Sequence, residues 1–384
     1  MIHCQKHLFN LDADFHYINC AYMSPLMNSV LEAGQVGLLK KAKPYTITPQ
    51  DFFDDVEILR GLFAKLINAE NDKRVAIIPS VSYGMAVVAN NLKAEKGQNI
   101  VVAEAQFPSN VYPWMALAKE KGLNIKFVPY PSVFEGRGRL WNQHILEAID
   151  KDTCMVALAH THWANGTKFD LKTIGKRAHD VGALFVLDGT QSVGAMPIDV
   201  QDIGADALVC GGYKWLMGPY QLGYAYFNER FEGGKPVEEN WISRKDSDNF
   251  NALVHYQDDY QPLSMRYDVG ERSNFITVPM GIAALQQLLD WGADNIQNYC
   301  NSLTKDVIPL WREKGFWIEE DAWRGKHLFG IQLPKGVSTE GLQVVLKEKK
   351  ISVSVRGEFV RISPNVYNDA DDIAALTEVL LAFS

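Results

Sequence analysis

Apolar runs that end in small or polar residues recur along the middle of the chain. Leu184–Leu187 predicts a strand buried on both faces and is followed by Asp188, and Ala207–Cys210 and Gly223–Phe227 predict two more strands. Residues 170–182 have the spacing of an amphipathic helix that returns to the first of these strands. Strand, helix and strand in succession predict right-handed βαβ units, hence an α/β fold with a large, mostly parallel sheet and helices on both faces.

Further elements follow on both sides of this centre. Residues 74–78, the run from 99 and the run from 155 predict strands, and a helix is expected to start near Ser80 and end near Leu92. A long helical pattern begins at Pro279, and the last part of the chain alternates short strands with helices, which predicts a small α+β C-terminal domain. We therefore expect an N-terminal arm (1–25), a large domain (26–265) and a small domain (266–384). The polar stretch 228–265 predicts a lid or an interface segment.

Composition narrows the class of protein. The chain has 384 residues, 47% hydrophobic and 22% charged, with a net charge of −8, which argues against a nucleic-acid or anionic-membrane partner. The five cysteines are scattered, which indicates neither a disulfide framework nor a zinc site and fits a reducing, cytoplasmic location. Neither a signal peptide nor a membrane-spanning run is predicted.

Asp188 and Lys214 are the candidate catalytic residues. Each lies at or just past the end of a predicted strand, the edge where open α/β sheets bind ligands. Pyridoxal phosphate needs a lysine amine to hold its aldehyde as a Schiff base and an anion against its ring nitrogen. Gln191, in the turn after Asp188, could reach the ring hydroxyl. The alternative is a buried aspartate and a surface lysine in an ordinary α/β domain.

Three segments around these residues resemble the class V aminotransferase family. They are DGTQSVG at 188–194, GAD at 204–206 and YKWLMGP at 213–219. The family includes cysteine desulfurases, selenocysteine lyases, kynureninase and isopenicillin N epimerase-like proteins. The resemblance implies the pyridoxal-phosphate-dependent transferase fold (fold type I), an amino-acid substrate, and a homodimer with its active site near the subunit interface.

The resemblance also implies residues that bind the cofactor. Val81 and Ser82 match the turn on which the family binds phosphate, and a helix start capped by serine suits an anion. Phe107 matches the aromatic residue that stacks on the ring. Asn165 matches the residue that hydrogen-bonds the ring hydroxyl, and His162 matches that motif's histidine. Tyr213 could contact the phosphate, whereas Gly211 replaces a serine that does so in the family.

A second match concerns the subunit interface. Residues 266–275 resemble a family segment that reaches across the dimer to the partner's phosphate. Glu271 replaces the usual threonine there, an unhelpful charge beside a phosphate. Arg272 or Ser273 is therefore expected to take over that contact.

Candidate substrate residues come from both ends of the chain. Arg361, in RISP, matches the family's arginine for the substrate carboxylate, and its planar fork suits that group. A structural ion pair is the alternative for Arg361. Arg356 could read an acidic side chain, although strict alternation would place it opposite Arg361 unless Gly357 introduces a bulge.

The N-terminal segment FHYINCAYMSP adds three more candidates. It resembles the opening of the family, where the arm lies beside the substrate site, so Asn19, Tyr22 and Met23 are candidates for the substrate pocket. The alternative is a turn that packs on the small domain. His160 and His162 alternate as a metal pair would, but no third ligand is evident, so we expect no metal site.

The reaction itself is less determined. Family desulfurases carry a nucleophilic cysteine before the C-terminal arginine, and VRGEFVR at 355–361 has none, which disfavours desulfuration through a persulfide. An aminotransferase-type activity is favoured. Kynureninase-like or selenocysteine-lyase-like cleavage and epimerisation remain open, as does a catalytically silent binding protein with this fold.

Overall fold

The computed structural model describes residues 2–383, and within that span the chain forms eleven α-helices and thirteen β-strands. The helices are α1 Asn28–Ala42, α2 Asp54–Leu66, α3 Val81–Asn91, α4 Tyr112–Lys121, α5 Arg137–Ala148, α6 Leu171–Asp180, α7 Thr277–Trp291, α8 Ala293–Thr304, α9 Val307–Glu313, α10 Thr339–Glu348 and α11 Ala370–Ala382. The strands are β1 His16–Tyr17, β2 Val75–Ile78, β3 Asn99–Ala103, β4 Asn124–Val128, β5 Thr153–Ala159, β6 Leu184–Asp188, β7 Ala207–Gly211, β8 Gly223–Phe227, β9 Trp317–Ile318, β10 Phe329–Gln332, β11 Ile351–Ser352, β12 Ser354–Arg356 and β13 Phe359–Ile362.

The largest sheet has seven strands in the order β2-β8-β7-β6-β5-β3-β4. All its pairs are parallel except those of β8, which runs antiparallel to β2 and β7. The link from β7 to β8 is an irregular loop without a crossover helix, so β8 can only return beside β7 in the opposite direction. The prediction of a mostly parallel sheet is confirmed, with β8 as the exception.

Helices cover both faces of this sheet, as predicted. Successive side chains on a strand point to opposite faces, so Val101 packs in one core and Val102 in the other. The first core includes Leu59 of α2 and Ile174 of α6. The second core includes Val87 of α3. Because both faces are buried, most strands of the sheet are apolar along their whole length.

A separate core belongs to the C-terminal part of the chain. The antiparallel sheet β12-β13-β10-β9 packs with α9, α10 and α11. The N-terminal arm joins this region, because β1 pairs in parallel with β11. Residues 351–362, which alternate like one strand in the sequence, form β11 and a β12–β13 hairpin instead.

The domain boundaries at 25 and 265 remain predictions. Helix α7 packs on α1 and α2, and its Leu285 belongs to the first core of the large sheet. This packing favours a boundary beyond Trp291. Residues 228–265 contain only short 3-10 helices, and no helix within residues 2–383 is long and apolar enough to cross a bilayer.

A buried ion-pair cluster fastens the segment after 265 to the large sheet. Asp268 is fully buried and binds Arg60 of α2 at 2.8 Å, accepts the Ile77 amide of β2 at 2.7 Å and pairs with Arg272. Burial alone would raise the pKa of Asp268, but the two arginines outweigh it and hold that pKa below its usual value. One carboxylate therefore joins α2, β2 and the segment near 272.

We expect Asp268→Asn to lower the free energy of unfolding by about 3–5 kcal/mol. The variant leaves the buried Arg272 guanidinium without a counter-charge and, within residues 2–383, leaves Arg60 paired only with Glu57, at 3.2 Å. Urea denaturation measures this. Asp12→Asn, at an exposed aspartate, is the matched control and should change stability little. Equal midpoints for the two variants would show that the cluster contributes nothing to stability.

Candidate active site

A cavity of about 410 Å³ opens at the carboxyl edge of the seven-stranded sheet. Ser80, Gln106, Asp188 and Gly211 line it, and they lie at or just past the ends of β2, β3, β6 and β7. These strands run in the same direction, so their carboxyl ends meet at one edge, where open α/β sheets bind ligands.

Asp188 and Lys214 meet in this cavity, as the sequence predicts. Asp188 is the last residue of β6 and pairs with Val209 of the neighbouring β7. Lys214 lies in the loop that leaves β7 after Gly211 and Gly212. Both side chains line the cavity, and both residues are only 6% exposed.

Burial changes the charge state that each group prefers. It raises the pKa of Asp188, and hydrogen bonds from Thr190 and the charge of Lys214 only partly offset this. Burial lowers the pKa of Lys214 to about 8; Asp188 opposes that change, and Arg361 adds to it. At neutral pH an appreciable fraction of the Lys214 amine is therefore uncharged and nucleophilic.

Hydroxyl groups and a helix start form another part of the wall. Ser80 caps α3 by accepting the Tyr83 amide at 3.3 Å, and its hydroxyl lies 2.9 Å from that of Ser82. Val81 and Ser82, the first residues of α3, line the cavity, and their contact with a phosphate stays a prediction. The free amides and the dipole of this helix start favour an anion.

Aromatic rings enclose the lysine. The Lys214 Nζ atom lies 5.4 Å from the ring centre of Phe107 and 5.5 Å from that of Tyr213. Trp163 meets Phe107 edge to face at 5.4 Å. Burial raises the pKa of Tyr213 to about 12, so its hydroxyl stays protonated and can donate a hydrogen bond.

A second cavity of about 320 Å³ shares Lys214, Phe107 and Trp163 with the first. It also shares Tyr213 and Tyr220, from the loop between β7 and β8. Its other lining residues come from the N-terminal arm and the C-terminal hairpin: Ala21, Tyr22, Met23, Arg356 and Arg361. Tyr22, Met23 and both arginines are thus brought to the lysine.

Arg361 is buried without an acidic partner among residues 2–383. Its Nη1 donates to the Trp163 carbonyl at 2.8 Å and its Nη2 to the Ser354 hydroxyl at 3.4 Å, while its buried Nε has no partner there. Burial and the charge of Arg356 lower its pKa to about 9, which leaves it a cation at neutral pH. The alternative of an ion pair with the C-terminal helix therefore has no support.

Asn19 is connected to Arg361 through the Ser354 hydroxyl, which both side chains contact. Its Oδ1 accepts the Ser354 hydroxyl at 2.9 Å, and its Nδ2 donates to the Ser352 hydroxyl at 3.4 Å. Asn19 does not line either cavity. It supports β11 and β12, of which β12 pairs with the strand that carries Arg361, and direct contact with substrate stays a prediction.

Of the two residues predicted to bind the ring hydroxyl, Gln191 lines the first cavity and Asn165 does not. Gln191 lines the first cavity, but its amide already donates to the Ala21 carbonyl at 3.1 Å and accepts from Trp215 at 2.9 Å. Asn165 does not line that cavity; its Oδ1 accepts the Thr167 amide at 3.0 Å. Their roles at the ring hydroxyl stay predictions.

Ser273 lies away from both cavities and donates its hydroxyl to the Phe52 carbonyl at 2.6 Å. Glu271 has a positive φ of 60°, and Arg272 is engaged by Asp268. A contact between this segment and a partner's phosphate stays a prediction.

His162 is buried, His160 is half-buried, and both imidazoles are neutral. Burial lowers their pKa values to about 3 and about 4, and the His162 ring hydrogen-bonds the Ala105 carbonyl at 3.1 Å. Within residues 2–383, His, Cys, Asp and Glu side chains form no group of three that could hold a metal ion.

The sequence analysis missed several lining residues, chiefly Gln106, Trp163, Thr190 and Tyr220. Gln106 is 5% exposed, and neither of its amide atoms has a hydrogen-bond partner among the described residues. A polar residue three positions after an apolar strand was the available signal for Gln106. Trp163 had a weaker one, since it lies between two residues of a recognised motif.

The donor set of the first cavity fits pyridoxal phosphate. A buried amine of lowered pKa suits its aldehyde, and the α3 start suits its phosphate. Asp188 accepts only from Thr190 and has no ion-pair partner within residues 2–383, so it is available for a protonated ring nitrogen.

Comparison with known proteins gives the same picture. The chain is 27% identical over 350 residues to the "uncharacterized aminotransferase YcbU" of Bacillus subtilis (strain 168), covering 86% of this chain and 88% of that protein. An apo cysteine desulfurase from Thermococcus onnurineus NA1 superposes with a TM-score of 0.83 at 21% identity, covering 100% of this chain and 98% of that one.

A lysine-to-alanine mutant of C-DES, with glycine covalently linked to its pyridoxal phosphate, superposes with a TM-score of 0.85 at 20% identity, covering 99% of this chain and 100% of that one. At these identities the two structures establish the fold, which is that of class V pyridoxal-phosphate enzymes. The family model for aminotransferase class-V matches residues 48–376. The chain therefore belongs to the aminotransferase class-V family, which uses pyridoxal phosphate.

Proposed function

We propose that this protein is a pyridoxal-phosphate-dependent enzyme that acts on an amino acid, with an aminotransferase-type reaction. The observation that carries the proposal is the meeting of buried Asp188 and Lys214 in one cavity beside an anion-binding helix start. A catalytically silent protein has no physical need for this combination.

Four parts of the cavity would hold the cofactor. Lys214 would bind its aldehyde, Asp188 its ring nitrogen, and Phe107 a face of its ring. The backbone amides of Val81 and Ser82 and the Tyr213 hydroxyl would bind its phosphate. When bound, the cofactor supplies an electron sink for the substrate's α-carbon.

The chain's own residues would perform the remaining tasks. Lys214, neutral in part because of its burial, would remove the proton from the substrate's α-carbon as a general base. The Arg361 guanidinium would hold the α-carboxylate bidentately and so orient that carbon. The aromatic rings around Lys214 would exclude water from the proton transfer.

The proposed reaction type depends on which nucleophilic side chains line the two cavities. No cysteine lines either cavity in the described part of the chain, and burial raises the pKa of the nearby Cys20 thiol to about 11. This supports a reaction driven by the lysine and the cofactor without a protein thiol. Transamination meets that condition and is the function we propose.

We also infer a homodimer in a reducing, cytoplasmic location. The exposed Trp241 and Tyr256 lie in segments outside both cavities, where a second subunit could bury them. All five cysteines are free, which fits a reducing compartment. Sedimentation analysis of the purified chain tests the dimer.

We expect Lys214→Ala to abolish turnover and covalent attachment of pyridoxal phosphate, since no other amine lines the cavity among the described residues. Borohydride reduction followed by peptide mapping measures attachment. Lys168→Ala is the matched control, because burial also lowers the pKa of that partly buried lysine. Cofactor fixed on another lysine in the Lys214→Ala variant would refute the assignment.

The products then identify the reaction. The loaded wild-type protein is incubated with each amino acid and a keto-acid acceptor, and keto acid, sulfide, alanine and inverted amino acid are separated. New keto acid and new amino acid in equal amounts are expected for transamination. If sulfide or alanine is the only product, the assignment changes from transamination to cleavage. If inverted amino acid is the only product, it changes to epimerisation.

We expect Asp188→Asn to slow exchange of the substrate's α-hydrogen in D₂O by about a hundredfold or more, since a neutral amide cannot stabilise a protonated ring. Nuclear magnetic resonance follows the exchange. Asp206→Asn is the matched control, since Asp206 is also a buried aspartate but lies directly before β7, at the edge of the sheet opposite the cavity. It should lower stability without slowing exchange. Undiminished exchange in Asp188→Asn would remove Asp188 from the mechanism.

We expect Arg361→Lys to raise KM about tenfold or more for every amino acid tested, because lysine keeps the charge but loses the planar fork. Steady-state kinetics and thermal unfolding are compared, and the melting temperature should change little. If Arg361→Lys leaves KM unchanged and Arg356→Lys raises it for all substrates, the carboxylate assignment passes to Arg356.

A further inference from the structure

The β12–β13 hairpin brings two arginines to one face of the small sheet. Ser354 pairs directly with Arg361, so their side chains share a face, and Arg356 lies two residues further on the same face. Gly357, with a φ of 58°, and Glu358 form the two-residue turn. Such diagonal neighbours lie roughly 7 Å apart, and both arginines line the cavity that contains Lys214.

Arg356 keeps most of its hydrogen-bonding capacity free. Its Nη1 donates to the carbonyl of its own neighbour Val355 at 2.8 Å, and its guanidinium lies 5.8 Å from the ring centre of Trp163. No acidic side chain within residues 2–383 pairs with it. An aromatic ring and the backbone thus orient Arg356, and its remaining donors are left for a ligand.

The charge of this cavity is unbalanced. Lys214, Arg356 and Arg361 line it, and no aspartate or glutamate does so. A substrate with only an α-carboxylate would satisfy Arg361 and leave Arg356 facing the substrate side chain. An apolar side chain there would desolvate a guanidinium without replacing its hydrogen bonds, which is costly.

We propose that the substrate carries a second carboxylate on its side chain, and that Arg356 binds it while Arg361 binds the α-carboxylate. This inference rests on the proposed function for the reaction, and it adds the substrate class, a dicarboxylic amino acid. Aromatic rings line the same cavity as the two guanidinium groups and the lysine and supply its apolar surface.

Pairs of substrates that differ only in charge test this. Aspartate is compared with asparagine, and glutamate with glutamine, by calorimetric titration of the chain with and without pyridoxal phosphate. The wild-type protein should bind the acidic member of at least one pair about tenfold more tightly or better, as expected for a charge-assisted bidentate contact.

The Arg356→Gln variant should lose this preference, so that each acid binds within about threefold of its amide. Its affinity for the amides should change little, since they lack the second carboxylate. Arg139→Gln, at an exposed arginine of α5 outside both cavities, is the matched control and should keep the wild-type preference.

Two results would overturn the inference. One is equal wild-type affinity for acid and amide in both pairs, and the other is an Arg356→Gln variant that weakens acids and amides alike. Covalent loading of Lys214 is measured separately by borohydride reduction. Failure of loading counts against the proposed function, whereas the acid-to-amide ratio of the cofactor-free chain still decides the substrate class.

Discussion

The removal of water from Lys214 and Asp188 is the constraint on which the site depends. A lysine at the surface would be protonated at neutral pH, and a surface aspartate would be solvated and would bind a protonated ring nitrogen weakly. Here burial lowers the lysine pKa to about 8 and raises that of the aspartate. The seven-stranded sheet produces this burial, because β6 and the loop after β7 place Asp188 and Lys214 in a cavity that aromatic side chains line.

The C-terminal sheet and the N-terminal segment supply the remaining walls of the site around Lys214. Strand β1 of the arm pairs with β11, and the Ser24 amide then donates to the carbonyl of Tyr213, next to the lysine. Arg361 of β13 donates to the Trp163 carbonyl, in the loop that follows β5 of the seven-stranded sheet. Hydrogen bonds thus run from the loop that carries Lys214 through the N-terminal segment to the C-terminal sheet, so a shift of that sheet would move the two arginines relative to Lys214.

Much of this could be predicted from the sequence where burial sets the pattern. The predicted strand at 223–227 has the observed bounds, and those at 184–187 and 207–210 each lack one residue. Asp188 and Lys214 could be placed together because parallel strands end at one edge of a sheet. Such reasoning uses only local pattern and topology.

The sequence could not place side chains whose position depends on contacts distant in the chain. Asn165 hydrogen-bonds within its own turn, and Gln191 is engaged by Ala21 and Trp215. Trp163 and Gln106 line the cavity although neither had a strong motif. The direction of β8 was also not predicted, since it depends on the connection and not on apolar pattern.

The β12–β13 hairpin, which turns at Gly357, bears on both the proposed reaction and the proposed substrate. Read as one alternating strand, 354–361 would send Arg356 and Arg361 to opposite faces; the two-residue turn reverses the chain and places both on one face. A turn of that length cannot project a long loop with a nucleophilic thiol over the cavity. The same local geometry therefore supports the proposed chemistry by the lysine and places a second guanidinium in the cavity that Lys214 lines. The proposed reaction type and the proposed substrate class therefore both draw on one feature of the backbone, which an alternation argument on the sequence does not reveal.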